Sequence, residues 1–349
     1  MQTSKFPGYA LGLATVVLIA IVSNYVEKIP VVKYYGIEFV VWAVLIGIVV
    51  GNLKLPEVMK ATFRSEFFIK TGLVLLGASI NFTALMAIGA KGAVQAALVV
   101  TSVFLFALFL GIKFGLDRKL GAVLATGVSV CGVSAAIAAA GSVLAKKEHL
   151  TYVISMVVAF AVPLMFIQPL IARLLHLPDA VAGAWIGGNI DTTAVVVAAG
   201  SLYSQEALKV ASVVKMSQNA LIGLVAFALS LYYVLYMERH RDPSSADAPR
   251  KPSPILIWQR FPKFVLGFIF VSILVSVGII SGSYVASIDA ARKWFFAMAF
   301  ASIGLTFNLK GFKVLGGKPL LVFLLATMFN MFLAYGLAWL MFGGIIWPQ

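Results

Sequence analysis

The sequence predicts an all-α polytopic membrane protein of about eleven transmembrane helices, with an inverted repeat and discontinuous helices. Three observations carry that expectation. Of 349 residues 61% are hydrophobic; only 11% are charged, where soluble domains average about 25%; and the mean hydropathy is +1.00. A span needs about 20 apolar residues, so a chain of this length with one polar insertion has room for roughly ten or eleven.

The first run, 8–26, is longer than a signal-peptide core. It ends in Asn24, Tyr25, Glu27 and Lys28 without a small-residue cleavage pattern, so it reads as an uncleaved span. Runs bounded by charge or by Pro and Gly follow at 36–52, 67–90, 93–116, 121–145 and 150–174. Five more lie at 180–203, 207–237, 262–282, 290–309 and 319–345. The hydrophilic stretch 238–263, with its ERHRDPSSADAPRKPSP composition, reads as a linker loop between spans eight and nine, so residues 1–349 form a single transmembrane domain.

The formal charge of +14 does not point to nucleic acid, because the basic residues are scattered between apolar runs. They do report orientation. Alternating sides hold 18 and 8 of the 27 Lys and Arg, with Lys215 alone inside a span. The excess predicts a cytoplasmic N-terminus, a cytoplasmic 238–263 loop and a periplasmic C-terminus in a bacterial inner membrane. Cys131 is the single cysteine, which excludes an intrachain disulfide and a multi-thiolate metal site. No cofactor or metal is expected.

Residues 67–92 echo 294–319 at a constant offset of 227, pairing Phe68 with Phe295, Gly77 with Gly304, Ser79 with Thr306, Asn81 with Asn308, Gly89 with Gly316 and Lys91 with Lys318. Spans three and ten are antiparallel in the eleven-span topology, as copies in an inverted-repeat transporter would be. Shared Gly, Leu and Ala among membrane helices is the plainer explanation.

Only Glu38 and Asp191 among thirteen acids lie within apolar sequence. Glu38 is near a span end and can reach the interface. Asp191 follows Gly187, Gly188 and Asn189, which weaken a helix, and precedes Thr192 and Thr193. A broken helix there exposes backbone groups that can hold a coupling ion, Na⁺ or H⁺, at Asn189, Asp191, Thr192 and Thr193. The alternative is a Gly183–Gly187 packing face with Asp191 paired to a lysine. A second break is expected in span five, where Ser129, Cys131, Gly132 and Ser134 can meet an anionic group through hydroxyls and helix N-terminal amides, unless these small residues serve only packing. Lys215 can neutralise Asp191 or add positive potential, with Asn219 near it; Asn81 and Asn308 are the remaining polar positions placed near the centre. Gly47 and Gly51 offer a close-approach face that a homo-oligomer could use.

These residues resemble the YeiH-like bacterial membrane proteins, a family to which sulfate export is ascribed. The resemblance rests on GLVLLGASI (72–80), VSVCGVSAA (128–136), GGNIDTTA (187–194), VVKMSQNALI (213–222) and ASIGLTFNLKGF (301–312). More remotely, the break in span five is similar to those of bile acid/sodium symporter-type transporters, which implies crossed discontinuous helices. The expectation is a secondary transporter of a small anion, sulfate or a related oxyanion or sulfonate, coupled to an ion or proton. An anion channel is the alternative, and a membrane-embedded enzyme a weaker one, since His149, His176 and His240 all lie in loops or at span ends. No nucleotide-binding loop supports primary pumping.

Overall fold

The computed structural model describes residues 6–34, 38–53, 55–233, 254–307 and 317–346, and every regular element among them is helical. The first stretch carries α1 (Phe6–Glu27), the short α2 (Pro30–Tyr34), α3 (Phe39–Gly51), the short α4 (Glu57–Lys60) and α5 (Ser65–Leu76). The middle carries α6 (Phe82–Lys113), α7 (Arg118–Thr126), α8 (Val133–Ser142), α9 (Lys147–Leu174), α10 (Asp179–Asn189) and α11 (Thr193–Tyr203). The remainder is α12 (Gln205–Ala220), α13 (Ile222–Tyr232), α14 (Ile255–Arg260), α15 (Phe264–Ser276), α16 (Gly282–Thr306) and α17 (Gly317–Phe342). Among the described residues, five helices are long and apolar enough to cross a bilayer: most of α1, then α6, α9, the α12–α13 pair and α17. This is a membrane protein built from helices of unequal length.

One expected boundary moves. Spans three and four were to part near Lys91, but α6 runs unbroken through that residue for 32 residues. The interruption lies earlier, at a 3-10 turn Gly77–Ser79, and Asn81 restarts the helix by accepting from the Thr83 amide at 2.9 Å. Lys91 is a charge inside the helix, its ammonium 5.9 Å from the centre of the Phe342 ring.

The larger correction concerns spans five and seven, which do not cross. A straight helix from Lys119 to Leu144 would hold its ends about 37 Å apart. Instead Lys119 Nζ donates to the Leu144 carbonyl at 3.0 Å, and Asp117 lies 3.6 Å from His149 at the start of α9. The chain therefore enters along α7, turns, and leaves along α8 on the face it came from. The same holds for α10 and α11: the Tyr203 hydroxyl donates to the Leu177 carbonyl, and Arg173 donates to the carbonyl of Leu202. Since α9 runs between the two, one hairpin enters from the face that carries Lys119 and the other from the face that carries Arg173. Lys146 and Lys147 thereby move to the more basic side and Arg173 leaves it, so that side gains one basic residue and the other loses one.

The apolar interior of the described residues falls into two large clusters and a small one. The first gathers α1, α3, α5, α15 and α16 and takes in residues of α9, α10 and α12; the second joins α6, the α7–α8 hairpin, α9, α10, α12 and α17; the third sets Cys131, Ala135 and Ala138 against Ile222 and Ala226. Valines and alanines of α11 pack into the first cluster from the second hairpin. Close approach in the first group uses glycine. A Cβ at Gly47 would lie 2.6 Å from the Ala301 carbonyl, and Gly51 sits against Leu305. The Gly47–Gly51 face is thus filled by α16 of the same chain, so it is not a free oligomer surface. In the membrane, where lipid is as apolar as a leucine side chain, such contacts supply much of the association energy. The α5 and α16 helices of the internal echo pack on one another, with Gly72 against Phe296. Residues 308–316, on which the second half of the echo and Asn308 fall, lie outside the described residues, as do 234–253 of the hydrophilic stretch.

The hairpins can be tested by sided labelling in intact cells. Lys119→Cys and Lys146→Cys should react with a membrane-impermeant thiol reagent from the same face, and Arg173→Cys from the other. A crossing span five would place the first two on opposite faces.

Candidate functional site

Each hairpin tip is made by residues that cannot continue an α-helix. In the first, Asp117 caps α7 by accepting from the Lys119 and Leu120 amides at 3.0 and 3.1 Å, and a π-helical turn, Gly127–Cys131, widens the end of the helix. Reversal happens at Gly132, whose φ of 65° and ψ of −112° suit glycine. A Cβ there would also lie 2.6 Å from Val157 Cγ1 of α9. In the second hairpin, Ile190 and Thr192 are extended, so the helix stops after Asn189 and restarts at Thr193.

The two tips meet. The same Cβ on Gly132 would lie 3.2 Å from Thr192 Cγ2 and 3.4 Å from Asp191 Cβ. Four half-helix ends therefore converge in the interior. The α7 and α10 ends present carbonyls and a partial negative charge; the α8 and α11 starts present amides and a partial positive charge.

Side chains from the flanking helices partner the carbonyl ends. Lys215 of α12 is 1% exposed, and its ammonium donates to the Val130 carbonyl and to Gln218 Oε1, each at 2.7 Å. Gln218 Nε2 donates to the Gly188 carbonyl at 2.9 Å, and Asn330 Nδ2 of α17 donates to the Asn189 carbonyl at 3.1 Å. Asn189 Nδ2 in turn donates to Gln168 Oε1 of α9 at 2.8 Å. Asp191 is 6% exposed and shares an electrostatic interaction with Lys215.

The amide ends face a cavity of about 360 Å³. Its inner wall is Cys131, Ser134, Thr193 and Asn219, with Asn219 Nδ2 donating to Thr193 Oγ1 at 3.0 Å. Its outer wall is Glu66, Lys70 and the Phe261–Phe264 segment, which come from the Lys119-face ends of α5 and α15. Ser134 and Thr193 of that wall stand in the first turns of α8 and α11, where backbone amides have no partner within the helix.

The residues named from sequence divide accordingly. Cys131, Ser134, Thr193 and Asn219 line the cavity, while Gly132, Asn189, Asp191, Thr192 and Lys215 form the tips behind it. Ser129 is buried in the π turn, its hydroxyl 3.5 Å from the Thr126 carbonyl, and does not reach the cavity. Asn81 is not central: it is the exposed cap of α6, next to the end of α15 through the Phe82–Ser276 hydrogen bond. Asn308 lies outside the described residues. Gly183 and Gly187 pack on Ala207 and Ala211 of α12, a Cβ on either coming within 2.6 Å of a carbonyl, so the packing role holds alongside the break. Gln168 and Asn330 were missed, and Gln218, although within the VVKMSQNALI segment, was not placed at the site. The signal of the first two is an amide inside an apolar run, visible in FIQPL and MFNMF.

A family model described as "Conserved hypothetical protein 698" matches residues 11–323. The chain is 39% identical to a UPF0324 membrane protein of Rhodopirellula baltica, over 98% of this chain and 64% of that one. It is 38% identical to a UPF0324 membrane protein of Nitratidesulfovibrio vulgaris, over 98% and 61%. It is 30% identical to the UPF0324 inner membrane protein YeiH of Escherichia coli, over 95% and 91%. The chain thus spans less than two thirds of the length of the first two relatives. No solved structure matches it.

Gly132→Ala should destabilise the purified protein by about 2 kcal/mol or more, through backbone strain and overpacking against Val157. Gly121→Ala, where a Cβ meets nothing within 4 Å, should be neutral or stabilising. Thermal unfolding in detergent measures both.

Proposed function

The chain belongs to the family described as Conserved hypothetical protein 698, whose named relatives are UPF0324 membrane proteins, and from that premise we propose that it is a secondary active transporter of a small anion. One observation carries the reading: two re-entrant hairpins enter from opposite faces and turn the amide starts of α8 and α11 onto one cavity. A half-helix N-terminus inside a membrane protein is an anion site, because its unpaired N–H groups and its dipole both favour negative charge. Ser134, Thr193 and Asn219 add side-chain groups that can turn a donor toward an oxyanion. Lys215 supplies positive potential from behind the tips. Sulfate or a related oxyanion or sulfonate is the proposed substrate class, in keeping with the resemblance to sulfate exporters.

Alternating access would move the cluster that carries both hairpins against the α1, α3, α5, α15 and α16 cluster, with α11 as the surface between them. The cavity is lined from the Lys119-face ends of α5 and α15. Positive-inside bias makes that face cytoplasmic, with the N-terminus, and makes loading from the cytoplasm the expected first step of export. On the Arg173 side, Trp185 closes the path by donating to the Met331 carbonyl at 2.9 Å and packing edge-on against Tyr335. Asn189, Asp191, Thr192 and Thr193 are the proposed coupling-ion or proton site.

Purified protein in liposomes should exchange labelled sulfate or a competing oxyanion in a saturable, counter-substrate-stimulated way. Ser134→Ala and Thr193→Val should each raise the half-saturating anion concentration about tenfold, the worth of a lost charge-assisted hydrogen bond. Asp191→Asn should abolish the response to an imposed cation gradient. Absence of flux under every gradient would remove the transporter reading, and single-channel currents in its place would make the protein a channel.

A further inference from the structure

We propose that the coupling ion is a monovalent metal cation, Na⁺ by chemistry, held at the carbonyl end of α10 by Asn189 Oδ1, Asn330 Oδ1, Thr192 Oγ1 and the Asp191 carboxylate. The inference rests on the transporter reading only for the word coupling; the site itself stands on the geometry. Asn189 and Asn330 are 1% and 2% exposed, and both have a carbonyl oxygen that is buried and without a hydrogen-bond donor among the described residues. Thr192 Oγ1 is buried and unpartnered in the same way. An oxygen left so in a membrane interior costs about 1–3 kcal/mol, and the bond from Asn330 to the Asn189 backbone carbonyl sets two of the three residues against one another.

Their placement is not loose. Asn189 is oriented by its amide nitrogen, which is spent on Gln168 Oε1, so its carbonyl oxygen is the free atom. Asn330 is oriented in the same sense, its nitrogen spent on the Asn189 backbone carbonyl. Both amides therefore use their donors on the protein and keep their acceptors unused. Next to them stand Asp191 and the partial negative charge of the α10 C-terminus.

A comparison between the hairpins shows what belongs there. At the carbonyl end of the first hairpin, the Lys215 ammonium occupies the Val130 carbonyl, so that pole holds a built-in cation. Among the described residues, the carbonyl end of the second hairpin is met by the neutral amides of Gln218 and Asn330. The set of ligands selects among cations. A proton on Asp191 provides one donor and satisfies one acceptor, and amide oxygens do not take a proton near neutral pH. A divalent ion usually draws on several carboxylates, whereas no group of three or more His, Cys, Asp or Glu suited to a metal occurs among the described residues. One carboxylate with neutral oxygens matches a single positive charge.

The test is thermal unfolding of the detergent-purified full chain in NaCl, KCl or choline chloride at equal ionic strength, with no oxyanion present. Wild type should melt about 2–4 °C higher in NaCl than in the other two. Thr192→Val keeps the methyl that packs on Gly132 but removes the oxygen, and should lose the Na⁺-specific shift; Thr192→Ser should restore it. Equal melting in all three salts, or a Na⁺-specific shift that survives in Thr192→Val, would overturn the proposal. Should Thr192→Val not purify folded, equilibrium binding of ²²Na⁺ to wild type decides: displacement by NaCl and not by KCl supports the site, and equal displacement by both overturns it. Because the assay needs no flux, a Na⁺ site without transport removes only the transporter reading, and proton-driven transport without a Na⁺ shift removes only the site.

Discussion

The structure depends on one constraint: a helix broken inside a membrane exposes backbone groups that no water can satisfy. Each break leaves carbonyls on one side and amides on the other. Here the carbonyls are met by side chains from outside the hairpins, Lys215 and Gln218 from α12 and Asn330 from α17, while Gln168 of α9 fixes Asn189. Three flanking helices must therefore present polar groups at one depth, and their positions around the tips follow from that need. The amides are treated differently. They begin beside Ser134 and Thr193 in the cavity wall, so the same break that costs stability at one pole offers the proposed anion site at the other.

Much of this was legible in the sequence, and the part that was not has a physical cause. Both breaks are written locally, in Gly127 to Gly132 and in Gly187 to Thr192, because glycine and small polar residues mark places where helical propensity fails. The direction taken after the break is not local. It depends on Lys119 reaching Leu144 and on Tyr203 reaching Leu177, contacts that hydropathy cannot see. Two half-helices of 9 and 10 residues, or of 11 and 11, add up to the length of one span and imitate it. The misplaced boundary at Lys91 has a related cause: a 32-residue helix is about 48 Å long, well beyond the roughly 30 Å of a hydrocarbon core, so a charge within it need not mark a loop.

Charge also drew attention away from the neutral amides. Asp191 and Lys215 stand out in an apolar sequence, and both are at the tips. Gln168, Gln218 and Asn330 make more of the hydrogen bonds there, yet a single amide in a run of leucine and phenylalanine is a faint signal. The glycines teach a different lesson. Gly183 and Gly187 were weighed as packing against function, and the two are not exclusive, since close packing on Ala207 and Ala211 sets α10 where its carbonyl end meets α12 and α17.

Charge balance ties the two poles together. Asp191 and Lys215 are buried with opposite sign, while the other buried charge, Arg292, is paired with Asp289 at 2.6 Å. The empty tips are thus near neutral. An anion arriving alone at the amide pole leaves net negative charge in a poorly polarisable interior, and a cation arriving alone at the carbonyl pole leaves the reverse. Opposite charges held close in an interior of low effective dielectric attract, and linkage requires each ion to give the other the same gain in affinity. For the proposed anion and cation, binding of either would then favour binding of the other. It follows from placing the positive and negative ends of two broken helices in one water-poor site and leaving the protein's own charges cancelled.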